Sequence, residues 1–193
     1  MNQISNKDIE LIEFRMHSIA IGHLAIRYTL GWSSAPPIRI FFGDKQVIEG
    51  LATAFTNPAI ESALIHCRAL LEFLGLSAKD EKTLQQRKGS RKDDIVIEKF
   101  SGKNGALSKV DPKKALQSYQ GSIIEAEEAL AYVLHTTNKA LAHSTHGFSK
   151  SEEASKLLEI AFRGIPILMV NNFYNKMGLK APSYELNSRT RHA

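Results

Sequence analysis

The sequence predicts an all-α protein, an up-and-down helical bundle of four longer helices plus short helical pieces. Three observations support this: apolar residues recur at helical spacing, glycine and proline fall near segment ends, and strand-like alternation is nearly absent. Hydrophobic residues make up 43% of the 193-residue chain and charged residues 23%, as in ordinary globular domains. We therefore expect one helical domain over residues 1–180 and a flexible polar tail over residues 181–193.

The first long helix is predicted over residues 6–31, where apolar side chains recur every three or four positions. Asn6 is a suitable N-cap and Gly31 a suitable stop. The apolar run 38–42 has strand character, but a lone strand has nothing to pair with. A short helix is expected to follow over residues 44–55.

The second long helix is predicted to start at Asn57-Pro58, because asparagine caps helices and proline suits the first helical turn. It extends to about Leu74 and is apolar on nearly all sides, which is typical of a central helix in a bundle. Arg68 and Glu72 lie four positions apart on its charged stripe, so they can form an ion pair.

The segment 76–121 is rich in charge and poor in periodicity. It predicts only a short helix over 93–100 and a helical turn after Asp111-Pro112. Residues 79–114 hold 11 Lys/Arg and 6 Asp/Glu, whereas the rest of the chain holds 14 of each sign. This basic segment therefore carries all of the net charge of +5. It can bind RNA phosphates or an acidic partner, or it can be a solvated loop.

The last two long helices follow this segment. Residues 122–146 have one apolar face and one polar face, and they predict the third helix. Ser149 followed by Glu152 is a capping box that opens the fourth. Pro166 is expected to kink that helix, and Gly178 is expected to end it.

Several classes of protein are excluded by simple counts and missing motifs. Cys67 is the single cysteine, so an internal disulfide and a metal site built on several thiolates are excluded. The glycine-rich motifs of nucleotide-binding loops are missing, and we expect no cofactor. The chain shows no signal-peptide pattern and no apolar run long enough to span a membrane, so we expect a cytoplasmic protein without membrane contact.

Histidines gather near the end of the third predicted helix. His143 and His146 are three positions apart and could chelate a transition metal if the helix continues there. A firm site needs a third or fourth ligand, which His17, His23 or His66 could supply only from another helix. We therefore expect no metal, with a polar face at a helix end as the simpler interpretation.

The stretch from Thr137 to His143 reads Thr-Asn-Lys-Ala-Leu-Ala-His. It resembles the motif of the HEPN superfamily of all-helical prokaryotic domains, in which an arginine, often followed by asparagine, precedes a histidine. Asn138 and His143 match this motif, and Thr137 stands where the family has arginine. In ribonuclease members, the histidine and arginine assist attack of the RNA 2′-hydroxyl on the adjacent phosphate. The resemblance implies catalytic roles for His143 and Asn138, with Lys139 as a nearby binding cation.

A second resemblance joins the stretches 68–74, 93–98 and 138–144, which are similar to stretches that recur in this order in small bacterial helical proteins. The resemblance implies that their polar side chains converge on one pocket. These side chains are Arg68, Glu72, Asp93, Asp94, Asn138 and His143. The alternative is that they have structural roles, with Asp93 as the cap of a short helix.

The function expected from these patterns is a noncatalytic helical interaction or regulatory module of bacterial type, related to toxin–antitoxin or defence systems. It would form a homodimer or bind another protein, and the missing motif arginine favours this interpretation. One alternative is a HEPN-like, metal-independent endoribonuclease that uses His143 and holds RNA on residues 79–114. A second alternative is a helical bundle that binds a small ligand or a metal.

Overall fold

The computed structural model describes residues 6–117, 119–138 and 151–183. The all-α prediction is wrong, because the structure is 58% helix and 14% strand. The four longer helices are present, but strands accompany them. The helices are α1 (Asn6–Leu30), α2 (Thr53–Phe73), α3 (Pro112–Leu116), α4 (Ile123–Thr136), α5 (Glu152–Met169) and α6 (Asn175–Met177), and a π-helical turn (Val170–Tyr174) joins the last two.

The strands form three small antiparallel sheets of two strands each within the described residues. In each sheet the two strands are consecutive in the chain, so all three sheets are hairpins. The strands are β1 (Pro37–Phe42), β2 (Lys45–Leu51), β3 (Leu76–Ala78), β4 (Leu84–Gln86), β5 (Ser101–Gly102) and β6 (Gly105–Ala106).

The first hairpin replaces a predicted helix. Residues 45–51 pair with β1, and Ile40 lies opposite Ile48. Gly43 has a φ of +61° and occupies the first position of the two-residue turn, a conformation that suits the twist of antiparallel strands. A Gly-Asp pair between two apolar runs is a hairpin signal, and the prediction of a helix over residues 44–55 overlooked it.

The predicted helix over 93–100 is also wrong. Only Ile97–Lys99 form a short 3₁₀ turn there, and Val96 before it is extended. Phe100 is buried and packs edge-to-face on Phe73 and Phe173, with ring centroids 5.6 and 5.1 Å apart. Burial of this aromatic ring holds the end of the 93–100 stretch against α2. The sequence periodicity of that stretch does not predict this contact.

The predicted start of the second long helix at Asn57-Pro58 is also wrong. The helix α2 begins at Thr53, and Pro58 lies inside it.

Side-chain caps open two of the later helices. Asp111 caps α3, because its Oδ1 accepts a hydrogen bond from the Lys114 backbone N–H at 3.1 Å. The cap of α5 is Ser151, whose Oγ accepts from the backbone N–H of Ala154. The predicted cap Ser149 lies outside the described residues. The predicted tail can be compared only as far as residue 183.

The core is centred on α2. Ala63, Leu64, Cys67 and Leu71 on this helix are fully buried, and α1, α4 and α5 all pack against it. Burial raises the pKa of the Cys67 thiol well above its usual value, so this residue serves as a small apolar core side chain. Among the described residues, no helix has both the length and the hydropathy needed to cross a membrane.

Gly22 sets the distance between α1 and α2. A Cβ at this position would overlap the Cβ of Ala63 on α2 and would also press on the backbone carbonyl of Ala59. A side chain at position 22 therefore forces the two helices apart, and glycine is required there for a packing reason.

We expect Gly22→Ala to lower the free energy of unfolding by about 1–3 kcal/mol, the usual cost of overpacking a core. Gly164→Ala in α5 is the matched control, because its methyl group meets no atom within 4 Å. That control should be neutral or stabilising by up to about 1 kcal/mol through helix propensity. Urea unfolding of both variants measures the difference, and equal effects would contradict the close helix crossing.

Candidate functional site

A charged network lies along one side of α2. The Nε of Arg68 donates a hydrogen bond to Glu72 Oε1 at 2.8 Å, as expected for residues one helical turn apart. Arg87, which follows β4, brings its Nη2 to 2.9 Å from Asp94 Oδ2 and 3.7 Å from Glu72 Oε2. Arg87 therefore joins the charged segment to α2 through two carboxylates.

An open cleft of about 300 Å³ lies between α1, α2 and residues 87–95. Its charged lining consists of two guanidinium groups and three carboxylates, and the rest of its lining is apolar. The charged residues are Arg15, Arg87, Glu72, Asp93 and Asp94. Of the predicted binding residues, three therefore line one cleft, while Arg68 contacts it through Glu72.

Asp94 is held by its neighbours on the charged segment. Its Oδ2 accepts hydrogen bonds from the backbone N–H of Arg91 and from Arg87 Nη2, both at 2.9 Å. The Arg91 N–H, and then the Arg87 guanidinium, lower the pKa of this carboxyl. Lys99 Nζ also stabilises this turn, because it donates a hydrogen bond to the Asp94 carbonyl oxygen at 2.6 Å. The predicted cap Asp93 has no such partner among the described residues, and its carboxylate stays exposed.

Arg15 reaches the cleft from α1. Its Nη1 lies 3.2 Å from Nδ1 of His66 on α2, and the ring of His66 also packs edge-to-face on Phe14. Burial, and then the charge of Arg15, lower the pKa of His66, so the neutral imidazole accepts the hydrogen bond. Burial also lowers the pKa of Arg15, and no carboxylate of the described chain lies within ion-pair distance of it.

Sequence reasoning missed Arg15 and Arg87, and it considered His66 only as a metal ligand and not as a partner of Arg15. Arg15 is the one with a signal, because it lies within one turn of the buried residues Ile12 and Met16 of α1. A cation beside the buried stripe of a helix is unusual and marks a position to inspect. Arg87 lies in the segment without periodicity, where the sequence gives no indication of its partners.

The HEPN-like stretch is only partly described. Thr137 is 4% exposed, and its hydroxyl donates to the Val133 carbonyl oxygen at 2.6 Å and lies 3.4 Å from the Leu64 carbonyl oxygen of α2. Asn138 is exposed and does not line the cleft. Lys139, His143 and His146 lie outside the described residues, so their predicted roles are not placed.

The basic segment is partly neutralised by its own contacts. Lys82 pairs with Glu128 at 3.2 Å, and Lys109 Nζ donates to the Arg87 carbonyl oxygen at 3.0 Å. Lys99 and Arg87 are committed to the Asp94 turn described above. Four of the eleven cations of residues 79–114 therefore have acidic or carbonyl partners, and the remaining seven are distributed along the segment.

Metal ligands do not cluster in the part of the chain that the structure describes. No three His, Cys, Asp or Glu side chains there lie close enough to hold an ion. His135 Nε2 lies 3.0 Å from Glu81 Oε1, but the contact lacks hydrogen-bond geometry and remains an ion-pair contact. His23 Nε2 forms a hydrogen bond with Glu159 Oε1 at 3.3 Å, and neither residue lines the cleft.

Comparison of the chain with protein-family models, curated proteins and solved structures finds no match.

We expect Arg87→Gln to raise the pKa of Asp94, because the variant loses the guanidinium that favours the carboxylate. NMR titration of the Asp94 carboxyl carbon measures this, with Lys88→Gln as the control beside it. The depressed folded-state pKa means that ionised Asp94 stabilises the fold above its unfolded-state pKa of about 3.9. That contribution is lost as the pH falls through the folded-state value, and the loss should be smaller in Arg87→Gln. An unchanged Asp94 titration in this variant would contradict the network.

Proposed function

We propose that this protein is a noncatalytic interaction module, similar to a HEPN domain without its motif arginine, which associates with a second copy through the β1–β2 hairpin. The observation that carries this proposal is the apolar surface of the hairpin, which stays exposed to solvent. Exposed apolar patches of this kind are typical of interaction surfaces.

The hairpin presents large apolar side chains on both strands. Phe42 is 73% exposed, Leu51 56% and Phe41 52%, and Val47 and Ile48 are also exposed. A two-stranded hairpin is marginally stable in water by itself. Association that covers these side chains would therefore remove apolar surface from water and would stabilise the hairpin.

The outer edge of β1 is better suited to pairing than that of β2. The register between the strands shifts after Ile40, which leaves Val47 of β2 as an extra, bulged residue. Bulges twist an edge strand and discourage further pairing. β1 has no extra residue, and its proline lies at its first position, so residues 38–42 offer a regular row of backbone groups.

The β1 sequence is self-complementary around a two-fold axis at Ile40. Antiparallel pairing there places Ile38 opposite Phe42 of the second copy, and Ile40 opposite itself. Arg39, the only charge in β1, then lies opposite Phe41 of the second copy. Like charges are kept apart, and apolar or cation–aromatic pairs form across the axis.

The position of Thr137 favours a noncatalytic protein. Its side chain is buried against α2, and its hydroxyl is used inside its own helix. An arginine at position 137 would have its side chain inside the fold, against α2, where RNA has no access. Arg87, Lys99 and Lys109 already have carboxylate or carbonyl partners, so fewer cations of residues 79–114 are free to bind phosphates.

We expect the protein to dimerise, and we expect the charge at position 41 to control the dimer. In the Phe41→Lys dimer, the new lysine of each copy lies opposite Arg39 of the other, so two like-charge pairs form and the dimer should weaken about tenfold or more. Phe41→Glu places an opposite charge there and should weaken the dimer less. Ile124→Lys is the control, because Ile124 is also an exposed apolar residue, at 71%, and lies on α4 instead of the hairpin. Sedimentation equilibrium measures the dissociation constants. A monomer at all concentrations, or a dimer indifferent to position 41, would contradict this interface.

We expect no metal-independent ribonuclease activity. Purified protein incubated with total RNA at low salt in EDTA should leave the RNA intact, as should a His143→Ala variant. Cleavage by the wild type that the variant loses would establish the ribonuclease alternative and would make Thr137 a tolerated replacement for the motif arginine.

A further inference from the structure

The cleft between α1 and α2 has two charged groups that its internal network leaves unused. Glu72 and Asp94 are matched by Arg68 and Arg87. Arg15 and Asp93 line the same cleft, and neither has a partner of opposite charge within ion-pair distance among the described residues. One free cation and one free anion therefore remain in a single cleft.

The geometry of Arg15 makes it available to a carboxylate. Its guanidinium carries five N–H donors, and its one polar partner in the described chain is neutral His66, through a hydrogen bond. That contact holds the side chain in place without neutralising its charge. A positioned, half-buried guanidinium with free donors is suited to a planar carboxylate, which it can bind through two parallel hydrogen bonds.

Asp93 has the complementary property. Its carboxylate is exposed at the cleft and accepts no hydrogen bond from the described residues, although the adjacent Asp94 accepts two. An ammonium group of a ligand can therefore contact Asp93 without breaking a bond of the fold. The remaining lining includes Ile12, Leu70 and Ile95, which offer an apolar surface to the rest of such a ligand.

The charge balance of the cleft argues against a polyanion. Its lining has three carboxylates and two guanidinium groups, so phosphates of RNA or a nucleotide would meet net negative charge. A volume of about 300 Å³ is at the small end of ligand sites. The cleft therefore fits a small ligand that carries one charge of each sign.

We propose that this cleft binds a small apolar zwitterion, of the class of a free α-amino acid, with its carboxylate on Arg15 and its ammonium on Asp93. The apolar side chain of the ligand lies on the α1 and α2 side of the cleft. The inference goes beyond the proposed function and is independent of it, because the cleft and the hairpin share no residue.

The test is isothermal titration calorimetry of the full chain with L-leucine, L-phenylalanine and two derivatives of leucine. Leucinamide lacks the carboxylate, and N-acetyl-leucine lacks the ammonium group. We expect binding of at least one of the two amino acids, and a loss of about tenfold or more in the affinity for each derivative.

Paired variants identify which group meets which charge. Arg15→Gln should lower the affinity for the amino acid about tenfold. The affinity for leucinamide, which has no carboxylate, should stay unchanged. Asp93→Asn should also lower the affinity for the amino acid about tenfold. The affinity for N-acetyl-leucine, which has no ammonium group, should stay unchanged. Lys88→Gln and Asp44→Asn are controls that remove one charge of each sign outside the cleft. Asp93 is exposed, so its variant keeps the test valid even if Arg15→Gln weakens the fold.

Three outcomes would overturn the proposal: no heat with either amino acid at millimolar concentration, equal affinity for an amino acid and its derivatives, or tighter binding of inorganic phosphate than of the amino acids. Unchanged affinity in both Arg15→Gln and Asp93→Asn would overturn it as well. None of these results bears on dimerisation through the hairpin.

Discussion

Most of the architecture depends on how closely α1 packs against α2 at Gly22. The absence of a side chain there lets the α1 backbone lie on Ala63, and the two helices then form two of the three sides of the cleft, with residues 87–95 as the third. Arg15 lies about two helical turns before Gly22, so the same crossing brings its guanidinium to His66. The helix packing therefore fixes the distance between the apolar core and the charged groups at its edge.

The charged groups show how an apolar central helix can carry a polar site. Glu72 lies on the side of α2 that lines the cleft, and its carboxylate forms ion pairs with Arg68 and Arg87. Arg87 then connects α2 to Asp94, and the buried Phe100 fixes the following residues to the core. These contacts hold residues 87–100 against α2, while Arg15 and Asp93 keep no partner of opposite charge among the described residues.

The long helices could be predicted because burial repeats along them at helical spacing, and the Arg68–Glu72 pair follows from that spacing alone. The hairpin was missed although Gly43 marks its turn, because two short strands show too little alternation to compete with a helix. Arg87 and Arg15 could not be assigned, because their partners are distant in sequence. The acidic cleft residues were named from a resemblance, and only packing shows which elements surround them.

Residue-resolved hydrogen–deuterium exchange at two protein concentrations tests most directly whether a second copy covers the exposed hairpin, as we propose. Backbone amides of residues 38–42 should exchange more slowly at the higher concentration, because pairing along the outer edge of β1 protects them. The amides of α2, buried in either state, serve as the reference and should not change. Identical exchange of residues 38–42 at both concentrations would contradict dimerisation through the hairpin.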